Sequence, residues 1–271
     1  MSSPAPFDFP TTGPVTATAR IGAGHLTVSA GARNSAIVSV TPYDDAEASR
    51  AAAANTRVEF VDGELRVDTP DHSGGWLRRG GRVRVELRLP TDSKLTSMTG
   101  SADVHLDGRF AAASVKSGSG DTTIEQVVGD LTVNSGSGDI RVGEVDGRMI
   151  AHTGSGDITV RAVTGDAALD SSSGDIRIDD AGGMVQVGSA SGDVTVGAVR
   201  GSSLAVKTAS GDVSVGVPRG RRVWLDLSTA SGSTRSDLAM ANEPPAEGAQ
   251  LTLTVRTASG DIDIHRTLIA A

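Results

Sequence analysis

An eighteen-residue period constrains this chain more than any other feature. "SGSGDTTIEQVVG" begins at Ser117, "SGSGDIRVGEVDG" at Ser135 and "GSGDITVRAVTG" at Gly154. Aspartates mark the period at Asp103, Asp121, Asp139, Asp157, Asp175 and Asp193. Asp212 follows one residue late, the pattern loosens at Ser233, and a last copy carries Asp261. A unit this short cannot hold a strand, a crossover helix and a second strand. Repeats of this kind instead stack as quasi-one-dimensional arrays, each unit burying its apolar side against the next.

Alignment on the aspartates sorts the columns. The next residue is Val104, Thr122, Ile140, Ile158, Ile176, Val194, Val213, Thr234 and Ile262; two further on stand Leu106, Ile124, Val142, Val160, Ile178, Val196, Val215, Ser236 and Ile264. Polar residues such as His105, Arg141, Thr159 and Arg177 lie between them. Alternation of this kind predicts a strand with one buried face. The second half of each unit alternates too, with Leu131, Met149, Ala167, Val185 and Leu204 in one inward column. The reading is all-β: a right-handed parallel β-helix or solenoid with ~18-residue coils, two strands per coil, stacked ~4.8 Å apart.

Ser stands two residues before each Asp position, and Gly directly before it from Gly120 onward. This predicts a repeated corner, with glycine supplying positive φ and the serine and aspartate oxygens accepting backbone N–H groups. A catalytic serine needs one activated copy beside a base, not many equivalent ones. A calcium roll needs Gly-Gly-x-Gly-x-Asp every nine residues, which "GSGD" at this period does not supply. The reading therefore assigns no catalytic residue, no metal site and no cofactor. Arg141 and Arg177, two residues after Asp139 and Asp175, are expected to relieve repulsion along the aspartate column.

The 97 residues before the period read as a strand-rich N-terminal cap, 1–97, with one short helix in "DDAEASRAAAAN" and a hairpin around Asp62-Gly63. The repeats occupy 98–217. Residues 218–271 form C-terminal coils and a cap, with Trp224 expected to cover the last turns. One loop stands apart: "DHSGGWLRRGGR" sets Trp76, Leu77, Arg78 and Arg79 among glycines. Tryptophan and arginine are common interface anchors, so these four are the candidate partner contact, weighed against a solvated hairpin tip.

Composition narrows the function classes. The 271 residues carry a net charge of -8 and a pI near 5.1, which argues against a nucleic-acid partner. There is no cysteine, aromatic residues make up 3%, and glycines number 34. No apolar run approaches the ~20 residues of a membrane span, and the first residues do not read as a secretory signal. A cytoplasmic location is the expectation.

"VRVELRLPTDSKLTSMTGSADVHLDG" leading into the "SGSGDI" blocks, then "VWLDLSTASGSTRSDL" and "TASGDIDI", resembles a large bacterial family of β-strand-repeat proteins. That family is catalogued as a domain of unknown function and often carries an adhesin label. The resemblance implies a right-handed β-solenoid, no catalytic residues and no cofactor. The leading functional reading is a non-enzymatic, adhesin-like binding or scaffold module with a protein or polymer partner. A self-assembling structural protein is the alternative, and a polysaccharide-active β-helix enzyme ranks last.

Overall fold

The computed structural model describes residues 5–70, 81–238 and 250–267, and these are all-β apart from one helix. The chain divides into two units, 1–138 and 139–271. Trp76, Leu77, Arg78 and Arg79 lie outside the described residues.

The first unit contains β1 (Phe7–Pro10), β2 (Thr16–Gly31), β3 (Ser35–Pro42), α1 (Glu47–Ala54), β4 (Arg57–Val61), β5 (Glu64–Asp68), β6 (Val83–Pro90), β7 (Lys94–Phe110), β8 (Ala112–Ser117), β9 (Thr122–Val127) and β10 (Leu131–Ser135). Coils stack in parallel: β7 pairs with β8 and β9, and β8 with β10, each eighteen residues on. β2 departs from chain order. It pairs with β7 along one edge, Thr16 opposite Lys94 through Ala30 opposite Gly108, and with β5 and β6 along the other. Both β2 and β7 run straight through a corner, so each supplies a whole coil. Beyond β5 and β6 the direction reverses: β4 pairs antiparallel with β5, β3 with β6, and β1 with β3. An antiparallel layer cannot continue the parallel repeat, so these strands end the stack.

The hairpin at Asp62-Gly63 forms as predicted, both residues with positive φ. The helix is shorter than "DDAEASRAAAAN" and begins at Glu47. Before it, the Ser49 hydroxyl and then the Ala46 N–H hold the Asp44 carboxyl below its usual value. Buried Ser49 also accepts the Arg82 N–H at 3.1 Å, tying the helix to the start of β6.

The second unit contains β11 (Ile140–Val145), β12 (Met149–Thr153), β13 (Ile158–Val163), β14 (Ala167–Ser171), β15 (Ile176–Ala181), β16 (Val185–Ser191), β17 (Val194–Val199), β18 (Ser203–Ser210), β19 (Val213–Pro218), β20 (Val223–Ser231), β21 (Thr234–Ser236), β22 (Leu251–Ser259) and β23 (Ile262–Thr267). Alternate strands pair in parallel, so Ile140, Ile158, Ile176, Val194 and Val213 stack as one column. Every one of these is buried, as are Met149, Ala167, Val185 and Leu204 in the facing sheet. Close-packed aliphatic columns replace the aromatic core that the composition lacks.

At the far end of this unit the coil order again departs from the chain. β22 pairs with β18 on one side and β20 on the other; β23 likewise lies between β19 and β21. The last coil in sequence is thus the penultimate coil in space. Trp224 does not cover the end of the core. It lies opposite Thr252 at an outward position of β20 and is 48% exposed.

Candidate functional site

Outward residues inherit the same register as the core, so surface columns are as ordered as the buried ones. The aspartate column is a hydrogen-bonded ladder. The Asp121 N–H donates to the Asp103 carboxylate at 3.1 Å, and the N–H groups of Asp157, Asp175, Asp193 and Asp212 each donate to the preceding aspartate at 2.8–3.0 Å. Each carboxylate therefore satisfies a backbone donor of the next coil. Arg141 relieves the charge as anticipated, 2.7 Å from Asp139, whereas Arg177 pairs with Asp179 at 2.8 Å and not with Asp175.

The corner chemistry differs from the sequence reading in two respects. Among the repeat glycines before Asp, Gly211 and Gly260 have the expected positive φ, whereas Gly120, Gly138 and Gly174 do not. They are required by close approach: a Cβ at Gly174 would lie 1.9 Å from the Gly156 carbonyl oxygen, and one at Gly138 would lie 2.1 Å from that of Gly120. The hydroxyl that shapes the corner is also not the exposed serine two residues before Asp. It lies four before: Ser117, Ser135, Thr153 and Ser171 accept the N–H of Gly120, Gly138, Gly156 and Gly174 at 2.9–3.1 Å. That column was visible in the sequence as the first letter of each "SGSGD", "TGSGD" or "SSSGD".

Where Ala follows this hydroxyl in the second unit, at Ala190, Ala209, Ala230 and Ala258, the strand continues through to the serine two before the Asp position, which Ser233 occupies in the copy with Ala230. Backbone pairing then replaces the side-chain corner.

The chain matches the family described as Toastrack DUF4097 over residues 33–267. It belongs to the Toastrack DUF4097 family. Among solved structures, a Parabacteroides merdae protein described as a "putative adhesin" is 11% identical over 97% of this chain and 95% of its own, with a TM-score of 0.48. A Bacteroides fragilis protein described in the same words is 12% identical over 97% and 96%, with a TM-score of 0.40. A Parabacteroides distasonis protein described as a "putative lipid binding protein" is 12% identical over 98% and 97%, with a TM-score of 0.41. No curated protein matches the sequence. Likenesses this distant say nothing of activity, so the Toastrack surface has to be read from its own residues.

The first unit of this Toastrack chain carries an open groove of about 670 Å³. Cross-strand register builds its wall: Asp68 lies opposite Arg20, Arg20 opposite Met98, and Met98 opposite Lys116. Arg20 is held loosely by Asp68 at 3.6 Å, Met98 is 39% exposed, and Lys116 is exposed. Gly22, Gly100 and Gly118 stack along the floor, where a Cβ on Gly100 or Gly118 would lie 2.5 or 2.4 Å from the carbonyl oxygen of the preceding glycine. Thr99 also lines it. Residue-by-residue reading missed this site because its members come from β2, β5, β7 and β8.

The second unit has a smaller notch of about 490 Å³ at the equivalent outward column. His152 and Asp170 pair at 3.2 Å on one side, Gly188 supplies no side chain, and Lys207 stands on the other. Among the described residues, no serine hydroxyl hydrogen-bonds a histidine, and no three His, Cys, Asp or Glu side chains cluster as metal ligands.

Proposed function

We propose that this Toastrack chain is a non-enzymatic binding module that presents the lateral faces of its coils to an acidic polysaccharide. The observation that carries this reading is the groove of the first unit, where an exposed thioether lies between two cations on a wall fixed by strand pairing. Its support is physical. Backbone-paired coils hold such a wall without loop motion, and preorganised surfaces lose less entropy on binding. Cations at fixed spacing suit a repeating anion, while Met98 offers a soft apolar contact.

The test is binding of the full chain to an acidic polysaccharide and to neutral dextran, followed by biolayer interferometry at low and moderate salt. Salt-sensitive binding to the acidic polymer, lost in Lys116→Glu, is the expected result. Equal binding to dextran, or no binding to either, would overturn the reading.

Self-assembly is favoured by one observation: among the described residues β20 is paired along one edge alone, by β22. An open strand edge can template a second chain. Sedimentation velocity over a concentration series tests this second reading.

A further inference from the structure

We infer that the antiparallel end of the first unit is a docking surface for a second copy of this chain, with β1 of each copy filling the strand position beside β4 of the other. This is independent of the groove and of the free edge of β20.

The end is stepped. Outward from β2, one wall of the coil adds β6, β3 and β1, whereas the facing wall adds β5 and β4. β1 therefore stands one strand beyond the last strand opposite it. Among the described residues β1 is paired by β3 alone and β4 by β5 alone, so both keep an open edge. Open edges of this kind accept a further strand.

The side chains at the step are apolar and point inward. Phe7 and Phe9 lie opposite Val38 and Ala36, and Val58 and Phe60 opposite Val67 and Leu65; all four partners are fully buried. Directly paired residues share a face, so the step presents interior residues without a covering layer. Phe9 rests on Phe60 with ring centroids 5.2 Å apart, and Phe7 follows 6.4 Å from Phe9. Phe7 is 47% exposed. Three of the chain's four phenylalanines thus meet at this end, whereas the fourth, Phe110, is fully buried in the core.

The step is self-complementary, which is the reason to assign it to a second copy. A two-fold axis along the strands exchanges the two walls and reverses the direction of stacking. It sets the second copy's β1 beside β4, and β1 beside the second copy's β4, so both walls become level at once. A single foreign strand beside β4 would leave the outer edge of β1 open. Phe9 and Phe60 stand level across the core, so the axis also places the second copy's Phe9 beside Phe60 and its Asp8 beside Glu59. Asp8 and Glu59 are exposed, and like charges directly opposite weaken a strand pair. An end face about 26 Å long, from the eight residues of β3, and roughly 20 Å deep buries on the order of 1,000 Å² over both copies, the lower limit for a specific interface. The dimer is therefore weak, and salt strengthens it by screening the carboxylates.

Sedimentation velocity of the full-length protein, from micromolar to near-millimolar concentration at low and high sodium chloride, tests this. Growth from the 27.5 kDa monomer to a dimer, tighter at high salt, is expected. Phe7→Ser should weaken the dimer about a hundredfold, about tenfold for each copy, with little change in melting temperature. Asp8→Lys should tighten it, a gain that misfolding cannot produce. The chain has no cysteine, so Asp8→Cys mixed with Glu59→Cys should give a disulfide-linked dimer on oxidation, and neither variant alone should. A monomer at every concentration would overturn the inference. So would a dimer indifferent to Phe7→Ser, weakened by salt, or weakened by Asp8→Lys.

Discussion

Ser233 donates its backbone N–H to the Asp261 carboxylate at 2.7 Å, although it precedes Asp261 by 28 residues. Everywhere else in the aspartate ladder the donor comes later in the chain than the acceptor. The Asp261 N–H in turn donates to Asp212 at 2.8 Å, so the order in space is Asp212, Asp261, Ser233. The inversion explains why the one repeat without an aspartate is Ser233. As the outermost step it has to donate, but no further described coil requires a carboxylate from it.

This inserted order predicts unequal effects of two deletions. Removing 251–271 takes away β22 and β23, which hold β20 and β21 on one side and β18 and β19 on the other. Replacing 219–250 with a three-residue turn removes only the outermost coil and leaves the β18–β22 and β19–β23 pairing intact. The internal deletion should retain a cooperative melt, whereas the terminal truncation should lose several kcal/mol of stability as buried columns are exposed. Circular dichroism melts decide the matter. A truncation as stable as the internal deletion would contradict the strand order.

Gly174→Ala should be severely destabilising, by ~3 kcal/mol or more, because the new methyl meets backbone that is itself pinned by strand pairing. Gly13→Ala is the control: nothing lies within 4 Å of a Cβ there. Its effect should stay within about 0.5 kcal/mol. Urea denaturation of both variants checks the contrast; equal midpoints would mean that the coils can separate to admit a side chain.

Thr122→Val should stabilise the protein. Thr122 is fully buried in the inward column beside Val104, and its hydroxyl has no partner among the described residues. Valine keeps the shape and removes an unsatisfied polar group, for a gain of about 1–2 kcal/mol. A lowered melting temperature would show that the hydroxyl has a partner after all.

Asp261 predicts a pH dependence. The Ser233 N–H, then the Ser233 hydroxyl and Arg235, hold its carboxyl below the ordinary value of 3.8. A carboxyl depressed in the folded state adds stability above its unfolded pKa, and that increment is lost as pH falls through the folded value. The difference in melting temperature between wild type and Asp261→Asn should therefore be constant near neutrality and shrink below about pH 4. A difference that grows on acidification has the wrong sign for this account.

Much of the fold was legible because a stacked coil converts sequence period directly into contact. Ile140, Ile158 and Ile176 are eighteen residues apart, and the same interval places them side by side in the sheet. The two-strand coil, the inward columns, the Asp62-Gly63 hairpin and a strand-rich cap with one helix all follow from local alternation and turn chemistry. Within the second unit the change of corner type also follows from the residue after the hydroxyl, glycine or serine against alanine, whereas in the first unit β7 runs through its corner although Gly100 follows Thr99.

Chain order in space was not written locally. β2 beside β7, and β22 between β18 and β20, are pairings between strands whose sequences would fit several neighbours equally well. Period-2 alternation specifies which face is buried, not which strand lies next. The glycine columns depended on the same tertiary fact: no torsion angle demands Gly174, but the carbonyl of another coil does. The groove joining Arg20, Met98, Thr99 and Lys116 depended on it too. Its members are far apart in the chain and share no motif, and the insertion of β2 against β7 is what sets a cation beside Met98.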